Sequence, residues 1–143
     1  LNHELMGAHA HFDQLSVDLY LESIFIQDPG SFVYTGDRTL RNFFRSPSAH
    51  FMPRLKMDGF GLPEANEDVF RYKNLPIGIV LGFQKNSFWG QYEWESCLLQ
   101  RKVTLDEGEL IIADFCTEGF ELVDAYPSLP FRPKGYRQKV ELK

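Results

Sequence analysis

Residues 77–126 read IGIVLGFQKNSFWGQYEWESCLLQRKVTLDEGELIIADFCTEGFELVDAY, and this stretch decides the fold. Apolar runs of strand length are separated by breaks such as QKNS, DEG and TEG, which are too short to hold a helix. The runs are rich in β-branched and aromatic residues, which suit a pleated, half-buried surface. The pattern predicts an antiparallel meander. The expected class is therefore mainly β, a small partly closed barrel or a two-sheet sandwich with one or two short helices, and α+β as the fallback.

The turn at Asp106-Glu107-Gly108 carries a prediction of register. A three-residue loop with Gly in the left-handed position would pair Leu105 with Glu109, Val103 with Ile111 and Leu99 with Phe115. Cys97 and Cys116 would then point to opposite sides of the sheet as two unpaired thiols. A four-residue loop would bring the thiols opposite each other but set Leu99 against Asp114. One strand earlier, alternation divides Phe88, Tyr92 and Trp94 on an inner face from Trp89, Gln91 and Glu93 on an outer one.

Upstream of the meander the signals are mixed. Leu1, Leu5, Ala8 and Phe12 recur at helical spacing, whereas Leu15, Val17, Leu19 and Leu21 alternate with polar residues as a strand does. Asp28-Pro29-Gly30 marks a turn, after which Phe32, Val33 and Tyr34 predict a returning strand. Asp37 offers an N-cap to RTLRNFFR, in which Arg38, Arg41 and Arg45 would form a basic stripe while Leu40, Phe43 and Phe44 faced inward. Between residues 46 and 76, Pro47, Pro53, Gly59, Gly61, Pro63 and Pro76 punctuate the chain too often for long elements, although ANEDVFRY suits a two-turn helix. This long connection is expected to cap one end of the sheet through Phe51, Phe60, Phe70 and Tyr72, or to act as a binding lid.

Composition bounds what the chain can do. Thirteen Phe among 143 residues imply one domain with a substantial core. The longest unbroken apolar run, Ile77 to Phe83, falls far short of the roughly 20 residues of a membrane-spanning helix. Two Cys are too few for a disulfide-dense secreted scaffold, which leans the reading toward the cytoplasm. Residues 1–130 hold ten basic and nineteen acidic side chains, net −9, whereas residues 131–143 hold five basic and one acidic, net +4. An acidic body repels a phosphate backbone, so nucleic-acid binding is not expected. The division is thus a β-rich domain over 1–130 and a basic tail over 131–143.

Four sets of residues carry chemistry. His9, His11 and Asp13 project from one face if extended, and a His-x-His pair with His50 to complete it suits a metal; a helical segment would splay the two imidazoles and dissolve the site. The cupin ligand spacing, which this pattern approaches, is incomplete. On the outer strand face, Trp89, Gln91, Glu93 and Glu95 combine a stacking surface with hydrogen-bonding groups, as a carbohydrate site requires, and the two Glu would stand about 7 Å apart. Arg38, Arg41, Arg45 and Arg132 are candidates for an anion or an acidic partner. Tyr126-Pro-Ser-Leu-Pro-Phe-Arg132 fits the hydrophobic-Pro-x-hydrophobic-Pro-x-basic pattern of a polyproline II ligand.

No motif calls for a cofactor, and no nucleophile is paired with a base. The reading that ranks first is a non-enzymatic binding or protein-interaction domain, associating with itself or with a protein partner. Second is a barrel holding a small hydrophobic molecule. Third is a carboxylate- or His-dependent enzyme acting on carbohydrate.

Overall fold

The computed structural model describes residues 10–20, 24–33, 35–63, 72, 75–131 and 138–140. Two open antiparallel sheets dominate it. Strands β1 (Leu19–Tyr20), β2 (Ile24–Ile26) and β7 (Gln138–Val140) form the smaller, in the order β1-β2-β7. The larger is the meander, β3 (Ile79–Gln84), β4 (Ser87–Trp94), β5 (Cys97–Asp106) and β6 (Glu109–Cys116), in sequential order. One helix, α1 (Arg38–Arg45), and a 3-10 turn at Pro47–Ala49 lie between β2 and β3. The expected β class and the meander are present, but neither sheet closes into a barrel among the described residues.

The meander's inner face follows the expected alternation, with Tyr92 buried and Phe88 and Trp94 half-buried. The register between β5 and β6 does not. Asp106 pairs with Glu109, Leu105 with Leu110, Val103 with Ile112, Arg101 with Asp114 and Leu99 with Cys116, one step from the expected alignment. The loop is therefore two residues, Glu107 (φ 46) and Gly108 (φ 85), and positive φ at both is the geometry whose twist matches the flanking strands. A one-residue slip reverses every side chain of β6. Leu110, Ile112, Asp114 and Cys116 consequently face in, Ile111 and Phe115 face out, and both thiols lie on the same side of the sheet. Cys97 and Cys116 are nevertheless free, as expected.

The reason for the slip is Arg101. Its side chain is fully buried, and in the expected register it would have faced Ala113 with no counter-charge. In the observed register its Nε and Nη2 donate to the two oxygens of Asp114, both at 2.7 Å, in the fork geometry that suits a carboxylate. Nη1 donates to the carbonyls of Leu15 (3.1 Å) and Phe51 (2.6 Å), and the guanidinium lies over the Phe51 ring. One side chain thus joins two strands to two upstream segments.

Those segments fill the inner face. Phe12, Met52, Leu55, Phe60, Tyr72, Tyr92, Cys97 and Leu99 form one buried cluster. A second, Leu19, Ile26 and Phe51 with Leu110 and Ile112 against it, joins the small sheet to β6. The connection after α1 is a strap across the sheet: Tyr92 Oη donates to Pro53 O at 2.6 Å, and residues 54–56 run antiparallel to 121–123 through Val123 N to Arg54 O and Lys56 N to Glu121 O. Phe51, Phe60 and Tyr72 are buried under it, while Phe70 and the helix expected over ANEDVFRY lie outside the described residues, except for Tyr72. No returning strand forms at Phe32 and Val33; β2 pairs with β1 and, on its other edge, with β7. The basic tail therefore contributes a strand to the domain rather than leaving it altogether.

Gly61 is where the strap closes on the core. Its φ is +62, and a Cβ there would stand 2.5 Å from the Phe12 ring and 2.6 Å from Pro47 Cγ, both rigid groups. Gly61→Ala is predicted to destabilise the fold by about 1–3 kcal/mol through combined strain and overpacking, read as a lower urea midpoint at unchanged slope.

Candidate metal centre

His11, Asp28 and His50 come from three separate segments, yet one donor atom from each lies within 4.8 Å of the others. Each is held by its own local structure. His11 sits in extended chain before the buried Phe12, pinned to α1 by Phe12 N donating to Arg45 O (2.9 Å) and Arg45 Nε donating to Ala10 O (3.0 Å). Asp28 opens the Asp-Pro-Gly turn: Oδ1 accepts the Gly30 N–H at 2.6 Å, with Gly30 at φ +67, and Oδ2 is turned toward His50. His50 ends the 3-10 turn, and its backbone N–H donates to Pro47 O.

His50 Nδ1 lies 3.0 Å from Asp28 Oδ2, and the imidazole is fully buried. Yet neither of its ring nitrogens has a well-aligned hydrogen-bond partner among the described residues. The contact with Asp28 is one of charge and distance rather than of direction. A buried polar atom left without a partner costs about 1–3 kcal/mol, and a ligated cation would remove that cost. The His11 ring packs 5.2 Å from the His50 ring, and its Nε2 is 2.9 Å from Ser31 Oγ. A hydrogen bond on one ring nitrogen fixes the ring's orientation and leaves the other to face a ligand.

Electrostatics prepare the group for a cation. Burial pushes the His11 imidazole well down, to about 4, aided by the charges of His50, Arg45 and Arg41 and opposed by Asp28. At neutral pH the ring is therefore uncharged, with one nitrogen free to act as a ligand. Burial alone would raise the Asp28 carboxyl, but contact with the His50 ring, the charge there and the Gly30 N–H outweigh it and hold the group at about 2. Two imidazoles and an ionised carboxylate are a donor set that suits zinc, which accepts three protein ligands and keeps a further position open.

The expected His9, His11 and Asp13 set is thus only partly the set that forms. His11 and His50 do converge. Asp13 is exposed and is not among the three donors, although His50 and Asp28 act on its charge, and His9 lies outside the described residues. The third donor, Asp28, carried a signal only as a turn former. The basic stripe is likewise not a surface: Arg41 and Arg45 are fully buried, Arg41 donating to Val33 O and Arg45 lying over the Tyr72 ring, so of the three arginines of α1 Arg38 alone is exposed. They face inward because Phe12 and the 10–12 segment pack on that side of the helix. Arg132 falls outside the described residues.

On the outer sheet face, Trp89 is exposed, Gln91 accepts from Gln100 across the strands at 3.0 Å, and Glu93 is exposed. Glu95 is not on that strand: it occupies the β4–β5 turn at φ +53, because Trp94 already pairs with Cys97. The carboxylate pair expected at strand spacing does not form. Burial and then Cys97 push the Cys116 thiol up, the opposite of what a nucleophile needs.

A family model described as heparinase II/III-like, C-terminal, matches residues 2–50, a segment that includes all three donors. No curated protein matches the chain, and no solved structure does.

The pKa shifts set a pH dependence for the metal-free protein. His11 binds a proton more readily when unfolded, near 6.5, than when folded, near 4. Its contribution to stability is complete above about 6.5 and is lost as pH falls toward 4. The Asp28 contribution is complete above about 3.8 and is lost toward 2. Chelator-treated protein should therefore show a melting temperature that falls across both windows, and His11→Gln should flatten the upper one.

Proposed function

We propose that this chain is a metal-bearing β domain serving a polysaccharide-cleaving enzyme of the heparinase II/III-like kind, with zinc held by His11, Asp28 and His50. The observation that carries the reading is the convergence of those three side chains on one point. The family likeness supports it independently, because the matched segment spans the same three residues. A heparinase, by its name, acts on heparin, and from there the polysaccharide class comes to this chain.

The residues would contribute as follows. Asp28 neutralises part of the cation's charge, while the two imidazoles tie the N-terminal segment to the strap. Zinc, when bound, supplies a cross-link between these segments and a Lewis-acidic position. Ser31 keeps the His11 ring in orientation. The exposed Trp89 with Gln91 and Gln100 offers a flat surface of the kind on which a sugar ring stacks.

A second reading, a protein-interaction module, is favoured by one observation. Ile79, Trp89, Ile111 and Phe115 are all exposed on the outer face of the meander, interspersed with Gln91, Gln100 and Lys102, and exposed large apolar side chains with polar neighbours are common at contact sites.

Metal analysis of protein purified without chelators tests the first reading. One zinc per chain is expected, lost in both His50→Ala and Asp28→Ala, since each removes one of three ligands. Absence of any transition metal, with a dimer in native mass spectrometry, would favour the second.

A further inference from the structure

Arg101 and Arg54 are both buried cations, and they are treated differently. Arg101 has Asp114. Arg54 is 8% exposed, and its Nη2 donates to two carbonyls, those of Asp124 (2.6 Å) and Tyr126 (2.9 Å), while its Nε is buried with no acceptor. Among the described residues no carboxylate lies within ion-pair distance of it. Burial works against its charged form, and Asp124 only partly restores it. A buried charge without a counter-ion is costly.

Arg54 lines a half-open cleft of about 340 Å³ between the strap and residue 123. Phe43, Leu55, Phe60 and Leu62 give this cleft apolar walls, and Lys56 stands at it with Nζ 2.9 Å from Glu121. The volume is at the small end of ligand sites, enough for one substituted ring. We propose that this cleft binds a small carboxylate-bearing ring compound, its carboxylate against the Arg54 guanidinium and its ring against Phe43 and Phe60. A single carboxylate fits better than a sulfate or phosphate dianion, because Asp58 lines the cleft, Glu121 occupies Lys56, and the body is acidic. The site stands on Arg54 and is independent of the metal centre.

Calorimetric titration of the full chain with glucuronate, benzoate, glucose and sodium sulfate tests it. Glucuronate or benzoate should bind one to one with Kd of about 1 mM or tighter, and which of the two binds better identifies the ring. Glucose should not bind. Arg54→Gln should weaken binding at least about tenfold. Because that change also releases residues 124–126, Leu62→Trp, at an exposed position lining the cleft, serves as a second variant that blocks entry and leaves Arg54 in place. The proposal is overturned if neither carboxylate binds, if glucose binds as well as glucuronate, if sulfate binds better than both, or if binding survives both variants. Zinc content measured on the same samples separates this result from the fate of the metal centre.

Discussion

The fold depends on finding partners for one buried guanidinium. Arg101 sits on the inner face of the central strand β5, with no access to water. A charge in that position must be both neutralised and fully hydrogen-bonded, and removing one partner of such a pair typically costs about 3–5 kcal/mol. Asp114 supplies the counter-charge and so fixes how β6 pairs with β5. The carbonyls of Leu15 and Phe51 supply the remaining acceptors and so fix where the N-terminal segment and the strap cross the sheet.

That arrangement also builds the candidate metal centre. Phe51 follows His50 directly, and its carbonyl is shared between Arg101 and the Val17 N–H. Leu15 lies four residues from His11, and between them Phe12 is buried against Phe60, Tyr92 and Trp94. The two imidazoles are thus brought together by backbone bonds to a residue of the distant sheet. Asp28 reaches them from its own turn.

How much of this the sequence discloses follows from the range of each interaction. The meander, the inner and outer faces of β4 and the Asp37 cap of α1 are local or alternating properties, and all are legible; the thiols are free as expected, but on the same side of the sheet rather than on opposite sides. The β5–β6 register is not, because apolar matching favours a three-residue loop while the ion pair and a positive-φ Glu107 favour two; alternation cannot see a buried salt bridge. The burial of Arg41 and Arg45 is hidden for a similar reason. In isolation α1 presents them as a solvated stripe, and only the 10–12 segment packed against it turns that face inward.

The candidate site is half legible. His11 and His50 are suspicious as a pair, but Asp28 reads as turn chemistry and is both turn former and candidate ligand. Its two oxygens divide the tasks, one to Gly30 and one toward His50. Arg54 carries no sequence signal at all, since its distinction is that no carboxylate among the described residues pairs with it.

The central claim is that the Arg101 clasp, through Leu15 and Phe51, holds the metal ligands in place. The direct test is the zinc dissociation constant of Asp114→Asn, measured by competition with a chromophoric chelator on protein shown by circular dichroism to be folded. Asp114 is not among the three donors, so only its grip on Arg101 connects it to the metal. The account predicts binding weaker by about tenfold or more, as for loss of an outer-shell support. Zinc affinity unchanged from the parent in a folded variant would contradict it.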